Sequence, residues 1–521
     1  RVLALTMSDN RQSWLERDPN EERHKGSYDL DLIKASDAYQ QRITQEDGAV
    51  KRKYAVCFGY LGDNYQGLQI NPGAHTVEQE VERAAFLAGG IQECNFGYLH
   101  KIQFTRAART DAGVHAVTQC CAMKLSANPN KKEVFIEQIN RFLPDDIRAL
   151  TMTRVSKGFN AKQHCTKRRY HYLLPTYTLL AASEMNDLLK TQFDLQGPVV
   201  NAGRQGGYVE ENTRRSVGPA GLQNVYGQVK SHRSTSEQIA TLRAALKSYE
   251  GTRAYHNFTT GKHPEDANAK RFIISFEAGE PFVDEGTGAE WVLLTVLGQS
   301  FLLNQIRKMV AMAVEVTRGA AQLSTIMDAF TNRKMDLPMA PALGLYLGEL
   351  FFDGYNKKQR QQMENDLRLA KKRAQAKGMV WPPPAAPAAA PVPVPVAAVA
   401  DDNTDHAGED SAENPAKRAK LNPTAEGEAA EEGATSSSTV AAKPAAAVEK
   451  DDEGQCHEEI AWSSDPETLK LTQAFREGTI HQHIYQQDGK TLDFLYYFDY
   501  LRAYPHVYSE MTKPYGPPGG K

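Results

Sequence analysis

The spacing of the six cysteines, Cys57, Cys94, Cys120, Cys121, Cys165 and Cys456, offers neither a zinc knuckle nor a disulfide frame. No CxxC pair and no accompanying histidine spacing occur among them. Reduced thiols fit a cytosolic or nuclear setting. No apolar run approaches the ~18 residues of a membrane span. Arg1 opens no signal-peptide pattern, and because the chain does not begin with Met an upstream targeting segment stays open. Aromatic residues are missing from 382 to 461, where seven prolines between Pro382 and Pro395 give way to an Ala/Glu/Asp/Ser mixture. Such a stretch buries too little apolar surface to offset its ordering entropy, so 379–460 is expected to be a disordered linker. Within it PAKRAKLN (415–422) is a basic cluster of the nuclear-localisation type, and nuclear import is expected.

Net charge looks unremarkable until it is divided along the chain. Between Pro382 and Glu453 there are 14 acidic residues against five basic, a charge of −9; the whole chain carries −3, so the rest carries +6. A basic folded part suits a phosphate-bearing partner, although charge alone fits a solvated surface equally well. At 521 residues the chain is long enough for two or more folded units.

Order is expected from about residue 51, after a polar tail over 1–50. KYAVCFGYLG (53–62) reads as a strand. Thr76 with Gln79 forms a capping-box pattern ahead of Val77, Val81, Ala84, Ala85 and Ala88 at helical spacing, and Gly89-Gly90 supplies the stop. HKIQFT (100–105) and VTQCCAMKL (117–125) read as strands flanking the loop RAARTDAGVHA (106–116). RRYHYLLPTY (168–177) and AEWVLLTVLG (289–298) read as further strands, and 299–319 as a helix with Leu302, Ile306, Met309, Ala313 and Val316 as its buried stripe. Arg307 lies on a neighbouring face. A charged helix covers 355–377, and apolar faces in 461–521 predict helices that dock back on the main body.

The loop carries the chemistry. Asp111 between Arg106 and Arg109 is expected to be held ionised, because nearby cations lower a carboxylate pKa. That makes it a nucleophile or an electrostatic stabiliser of an oxocarbenium-like sugar. A glycosidase of the usual kind needs a second carboxylate, and the motif holds none. The plain alternative is an Asp-Ala-Gly turn in which Asp111 bonds its own backbone and Gly113 takes a positive φ.

RAARTDAGVHA resembles the catalytic motif of TruA-type pseudouridine synthases. Further segments match that family in the same order: GYLGDNYQGLQ (59–69), LPDDIRAL (143–150), FNAKQHCTKRRYHYLLPTY (159–177), GQSFLLNQIRKMV (298–310) and LPMAPALGLYLGELFFDGYN (337–356). The wording of 159–177 and of FREGTIHQHIYQQDGKTLDFLYYFDYL (475–501) is similar to the eukaryotic branch. The resemblance implies an α+β fold of two ferredoxin-like or RNA-recognition-like halves, 51–165 and 166–378. These share a central antiparallel sheet with helices on the outer face and a basic cleft, and carry added C-terminal helices.

It implies isomerisation of uridine in tRNA, and in other RNAs such as small nuclear and messenger RNA, by a monomer acting without cofactor or metal. Asp111 then aligns with the essential aspartate, and Arg109 with the arginine that fills the space left by the flipped nucleotide. Tyr170 aligns with the tyrosine that stacks on uracil and assists removal of the C5 proton, and Arg307 with the arginine that pairs with the aspartate. Arg106, His115 and Phe258 complete the expected substrate-binding set, His115 by positioning the turn. GTRAYHNFTTGK (251–262) departs from the family wording at Arg253 and Tyr255. Phosphate contacts are expected from Lys51-Arg52-Lys53, Lys167-Arg168-Arg169, Arg214-Arg215 and the cations of 355–377. A catalytically silent RNA-binding protein and a base hydrolase are the competing readings.

Overall fold

The computed structural model describes residues 26–43, 48–192, 217–378, 458–503 and 513–514. The linker, its basic cluster at 415–422 and Arg214-Arg215 lie outside them. Two compact units divide the chain, one of 1–364 with 455–521 and one of 365–454. Of the second, only the C-terminal part of one long helix, Asp353–Ala376, is described, and nearly all of its residues are exposed.

The first unit is a mixed α+β body around one large sheet. Its strands are β1 (Val50–Tyr60), β2 (Thr105–Arg106), β3 (His115–Ala127), β4 (Ile147–Arg154), β5 (Lys167–Pro175), β6 (Gly251–Ala254), β7 (Lys270–Ala278), β8 (Phe282–Val283), β9 (Glu290–Gly298), the separate short β10 (Arg333–Lys334) and β11 (Leu345–Phe351). They run in the order β4-β1-β3-β11-β5-β9-β7-β6, with β2 beside β3 and β8 beside β9. Among the described residues every pairing is antiparallel except β11 with β3, where Tyr346 opposes His115 and Leu347 opposes Ala116. The parallel seam therefore lies at the base of the Asp111 loop.

Helices α1 (Val77–Leu87) and α2 (Lys132–Phe142) cover β1 and β3. Val81, Ala85 and Ile139 meet Val56, Phe58, Met123 and Leu125. The α1 start holds the capping box of Thr76 and Gln79. Helices α3 (Ala182–Lys190), α4 (Pro219–Val229) and α5 (Ser236–Lys247) follow β5, and α5 packs on α6 (Gln305–Thr317). Asp353–Ala376 is α7.

The C-terminal helices α8 (Pro466–Phe475), α9 (Gln482–Thr491) and α10 (Asp493–Ala503) belong to the same unit, with a π-helical segment Arg476–His481 between the first two. They dock through buried apolar groups, Phe475, Ile480, Ile484, Leu495 and Phe498. Specific hydrogen bonds fix the register of docking. The Trp462 indole donates to Thr153 (2.9 Å), the Tyr177 hydroxyl to Asp488 (2.6 Å), and the Tyr346 hydroxyl pairs with His481 (2.8 Å).

Three expectations differ. The polar tail is ordered over 26–43, with short helices Leu30–Lys34 and Asp37–Gln40 and with Leu30 and Ile33 buried. HKIQFT is not a strand: Gln103 takes φ 51°, Ile102 and Phe104 anchor an irregular loop, and pairing begins only at Thr105. The alternation there reflects two separate anchors rather than a pleat. The 299–319 helix begins only at Gln305, because Asn304 is left-handed (φ 61°) and the Gln305 side chain accepts the Leu302 N–H (2.8 Å). Its apolar stripe also proves too narrow a description, since Gln305 through Val316 are all buried.

Candidate active site

The loop carrying Asp111 is pinned by the turn 62–68. Leu68 N–H donates to the Thr110 carbonyl (3.2 Å), and the Tyr60 hydroxyl meets the Thr110 hydroxyl (2.6 Å). Arg168 donates to the Ala107 carbonyl (2.7 Å) from β5. Gly62 is required by close approach, because a Cβ there would lie 2.3 Å from the Val114 carbonyl oxygen. Gly113 supplies φ +76° where the chain reverses.

Main-chain groups close the Asp-Ala-Gly turn, with Val114 N–H donating to the Asp111 carbonyl (3.2 Å). The carboxylate is thereby left to other partners, and the backbone N–H of Asn304 at the start of α6 favours its charged form. A helix N-terminus and its amides favour a negative group at that place.

Arg307, one turn into α6, is the opposing charge. It is 5 % exposed, its Nε donates to the Ala340 carbonyl (2.6 Å), and Ala340 N–H returns a bond to the Arg307 carbonyl (3.2 Å). Asp111 and Arg307 each favour the charged form of the other. Among the described residues no nitrogen lies within 4.0 Å of the Asp111 carboxylate as an ion pair, so the attraction acts through space. Tyr170 comes from β5, buried, in register with Leu347 and Val296 and with its ring edge-on to Phe301 at 5.3 Å. Burial raises its phenol pKa well above the ordinary value, and the Asp111 charge raises it further. Asp111, Tyr170 and Arg307, drawn from a loop, a strand and a helix, are thus electrostatic neighbours. Arg109 is exposed on the same loop.

The expectation that flanking arginines hold Asp111 strongly ionised is corrected. Its pKa is raised, because desolvation by burial outweighs Arg307 and the Asn304 amide. Arg106 gives no help, being held by Glu78, a buried residue, through both guanidinium arms, one at 2.8 Å. Arg106 is therefore a brace between the loop and α1 rather than a hand for substrate.

His115 is likewise a brace. It is fully buried, Nδ1 accepts Gly62 N–H (3.0 Å), and Nε2 donates to the Leu343 carbonyl (3.1 Å). Burial pushes it down to about 4, so it stays neutral. Phe258 has no exposed surface at all. It stacks on Phe330 (5.3 Å) and meets Tyr249 and Tyr255 edge-on, which makes it a core residue and not a base contact.

Sequence reasoning missed the supporting groups. Asn304 and Ala340 act through main-chain atoms, which leave no side-chain signature, although Asn is a residue that tolerates the left-handed region. Glu78 was legible as an acid in the first turn of α1. Asp63 and His483 were not, since the 2.7 Å contact that ties α9 to the turn beside His115 joins residues 420 positions apart.

The family of tRNA pseudouridine synthases is matched over residues 245–353, a span that includes Arg307 but not Asp111 or Tyr170. A relative in Kluyveromyces lactis, "tRNA pseudouridine synthase 1", is 37% identical over 374 residues, covering 65% of this chain and 67% of the relative. The protein of the same name in Saccharomyces cerevisiae is 34% identical over 355 residues, 61% of this chain and 64% of its own. A mouse protein, "Pseudouridylate synthase 1 homolog", is 33% identical over 311 residues, 59% and 62%. The chain thus spans about two thirds of the length of these relatives, or slightly less.

Proposed function

The chain belongs to the TruA-type family of tRNA pseudouridine synthases, and from that premise we propose that it isomerises uridine to pseudouridine in tRNA with Asp111 as its one reacting carboxylate. In this reaction the N1–C1′ bond breaks, the uracil turns, C5 bonds to C1′, and the C5 proton is lost while N1 gains one. Mass and oxidation state are unchanged. The uracil leaves as a delocalised anion that stays in the site, so no second acid is needed to protonate it.

The observation that carries this reading is that the Asp111 carboxylate, freed from its own turn, shares its electrostatic surroundings with Arg307, Tyr170 and the start of α6. Asp111 engages the sugar or the base, and Arg307 favours its anionic form against the cost of burial. Tyr170 provides the ring on which uracil stacks, worth ~1–3 kcal/mol per base, against a flipping cost of about a few kcal/mol. Exposed Arg109 fills the gap left in the RNA stack.

The parallel β3–β11 seam supports a division of the sheet into two ferredoxin-like halves, with the basic cleft along it. Coverage of the sheet by the C-terminal helices supports a monomer. Other structured RNAs as substrates, and nuclear import through 415–422, complete the proposal. Incubation with a tRNA transcript followed by nucleoside analysis tests it: pseudouridine appears with RNA mass unchanged. Free uracil with a lighter RNA would instead make the protein a base hydrolase.

A further inference from the structure

The far edge of the sheet carries a charge arrangement that the catalytic reading leaves unused. In the β6–β7 pair Arg253 stands directly opposite Arg271, and Ala254 opposite Lys270. Directly opposed residues share a face with Cβ atoms about 4.5–5.5 Å apart, where like charges destabilise the pairing. Among the described residues no carboxylate lies within 4.0 Å of Arg253, Arg271, Lys270, Arg333 or Lys334. The Nε atoms of both Arg253 and Arg271 are buried without a hydrogen-bond partner. Buried, unsatisfied polar groups of this kind are costly and uncommon.

The two guanidiniums are also held in place. Arg253 lies over the Phe330 ring at 5.1 Å, and Phe330 is itself stacked on Phe258. Arg271 is folded back onto the carbonyls of Asn268 (2.5 Å) and Lys270 (2.7 Å). The β10 residues Arg333 and Lys334, both exposed, are drawn to the same place because Asn257 donates to the Arg333 carbonyl (2.8 Å). β6 is the last strand of the sheet, while the β10 residues pair with Lys513 and Pro514. A planar guanidinium fixed on an aromatic ring keeps its outer N–H fork free for a phosphate.

We propose that the Arg253–Arg271 pair, flanked by Lys270, Arg333 and Lys334, is a docking site for RNA backbone phosphates, separate from the Asp111 site and engaging a distal part of the same tRNA. The proposal rests on the reading of the protein as a tRNA enzyme only for the identity of the RNA. It gives the departure of Arg253 from the family wording a purpose.

The test uses the full chain, with Arg253→Gln/Arg271→Gln compared with the parent for tRNA binding across a salt series and for kinetics. The expected result is a slope of log affinity against log salt shallower by roughly 1 per arginine. KM for tRNA rises several-fold, and turnover at saturating tRNA is unchanged. Lys270→Gln, an exposed change, should flatten the slope by about half as much as the double variant, and it guards against a folding defect in that variant. An unchanged slope in both variants, or tighter binding because the chain's own acidic tract occupied the arginines, overturns the site. If the parent releases no pseudouridine while the variants still lose slope, the catalytic reading fails and the phosphate site stands.

Discussion

Replacing Asp488 by asparagine should stabilise the protein at neutral pH and do almost nothing in acid. Asp488 sits in α9, fully buried, and accepts the Tyr177 hydroxyl at 2.6 Å. Burial, above all, pushes its carboxyl up to about 7, against ~3.9 in an unfolded chain. The unfolded chain therefore releases this proton from pH ~4 upward while the folded chain keeps it until about 7. Below pH ~4 both states are protonated and the group is neutral in effect. Between the two values folding stability falls by about 1.4 kcal/mol per pH unit, a total of roughly 4 kcal/mol above pH 7.

Asparagine carries no charge and keeps an oxygen for Tyr177. Urea titration of parent and Asp488→Asn at pH 4.5 and pH 8 isolates this one group, because all other titrations cancel in the difference. The variant should be ahead by only about 1 kcal/mol at pH 4.5 and by up to about 4 kcal/mol at pH 8. A difference that does not change with pH would refute the reasoning.

The acid limb of kcat/KM should lie above the ordinary carboxylate range, because Asp111 must be ionised and burial raises its pKa. Arg307→Gln should move that limb to still higher pH, read from pH–rate profiles of both proteins. Tyr170→Ala should lower kcat/KM by the equivalent of ~1–3 kcal/mol of lost stacking. Tyr170→Phe keeps the ring, so whatever it loses in tritium exchange belongs to the hydroxyl. Phe258→Ala should cost about 3–5 kcal/mol of stability and leave KM for tRNA unchanged in the folded fraction. A raised KM with intact stability would return Phe258 to the substrate site.

Four of the strands were legible locally. β1, β3, β5 and β9 announce themselves through β-rich runs ended by turn residues, and α1 through its cap. The parallel seam between β3 and β11 was not, because it joins residues some 230 positions apart and depends on where the chain returns. Asp111, Tyr170 and Arg307 were singled out by the wording of their motifs, and the structure makes them electrostatic neighbours. What the wording could not give was each partner's state. Arg106 beside Asp111 in sequence is spent on Glu78, while the groups that support Asp111 are Arg307 and the backbone amide of Asn304. Phe258 went astray for a related reason, since an aromatic inside a motif looks the same whether it faces a base or the core.

The central claim is that a single carboxylate, held at the start of α6, carries the isomerisation. Tritium release from C5-tritiated uridine in a tRNA transcript, with parent and Asp111→Asn side by side, tests it most directly. The parent should release tritium and the variant none above background, with tRNA binding retained by both. Equal release by the two proteins would show that another group does the chemistry and would contradict the account.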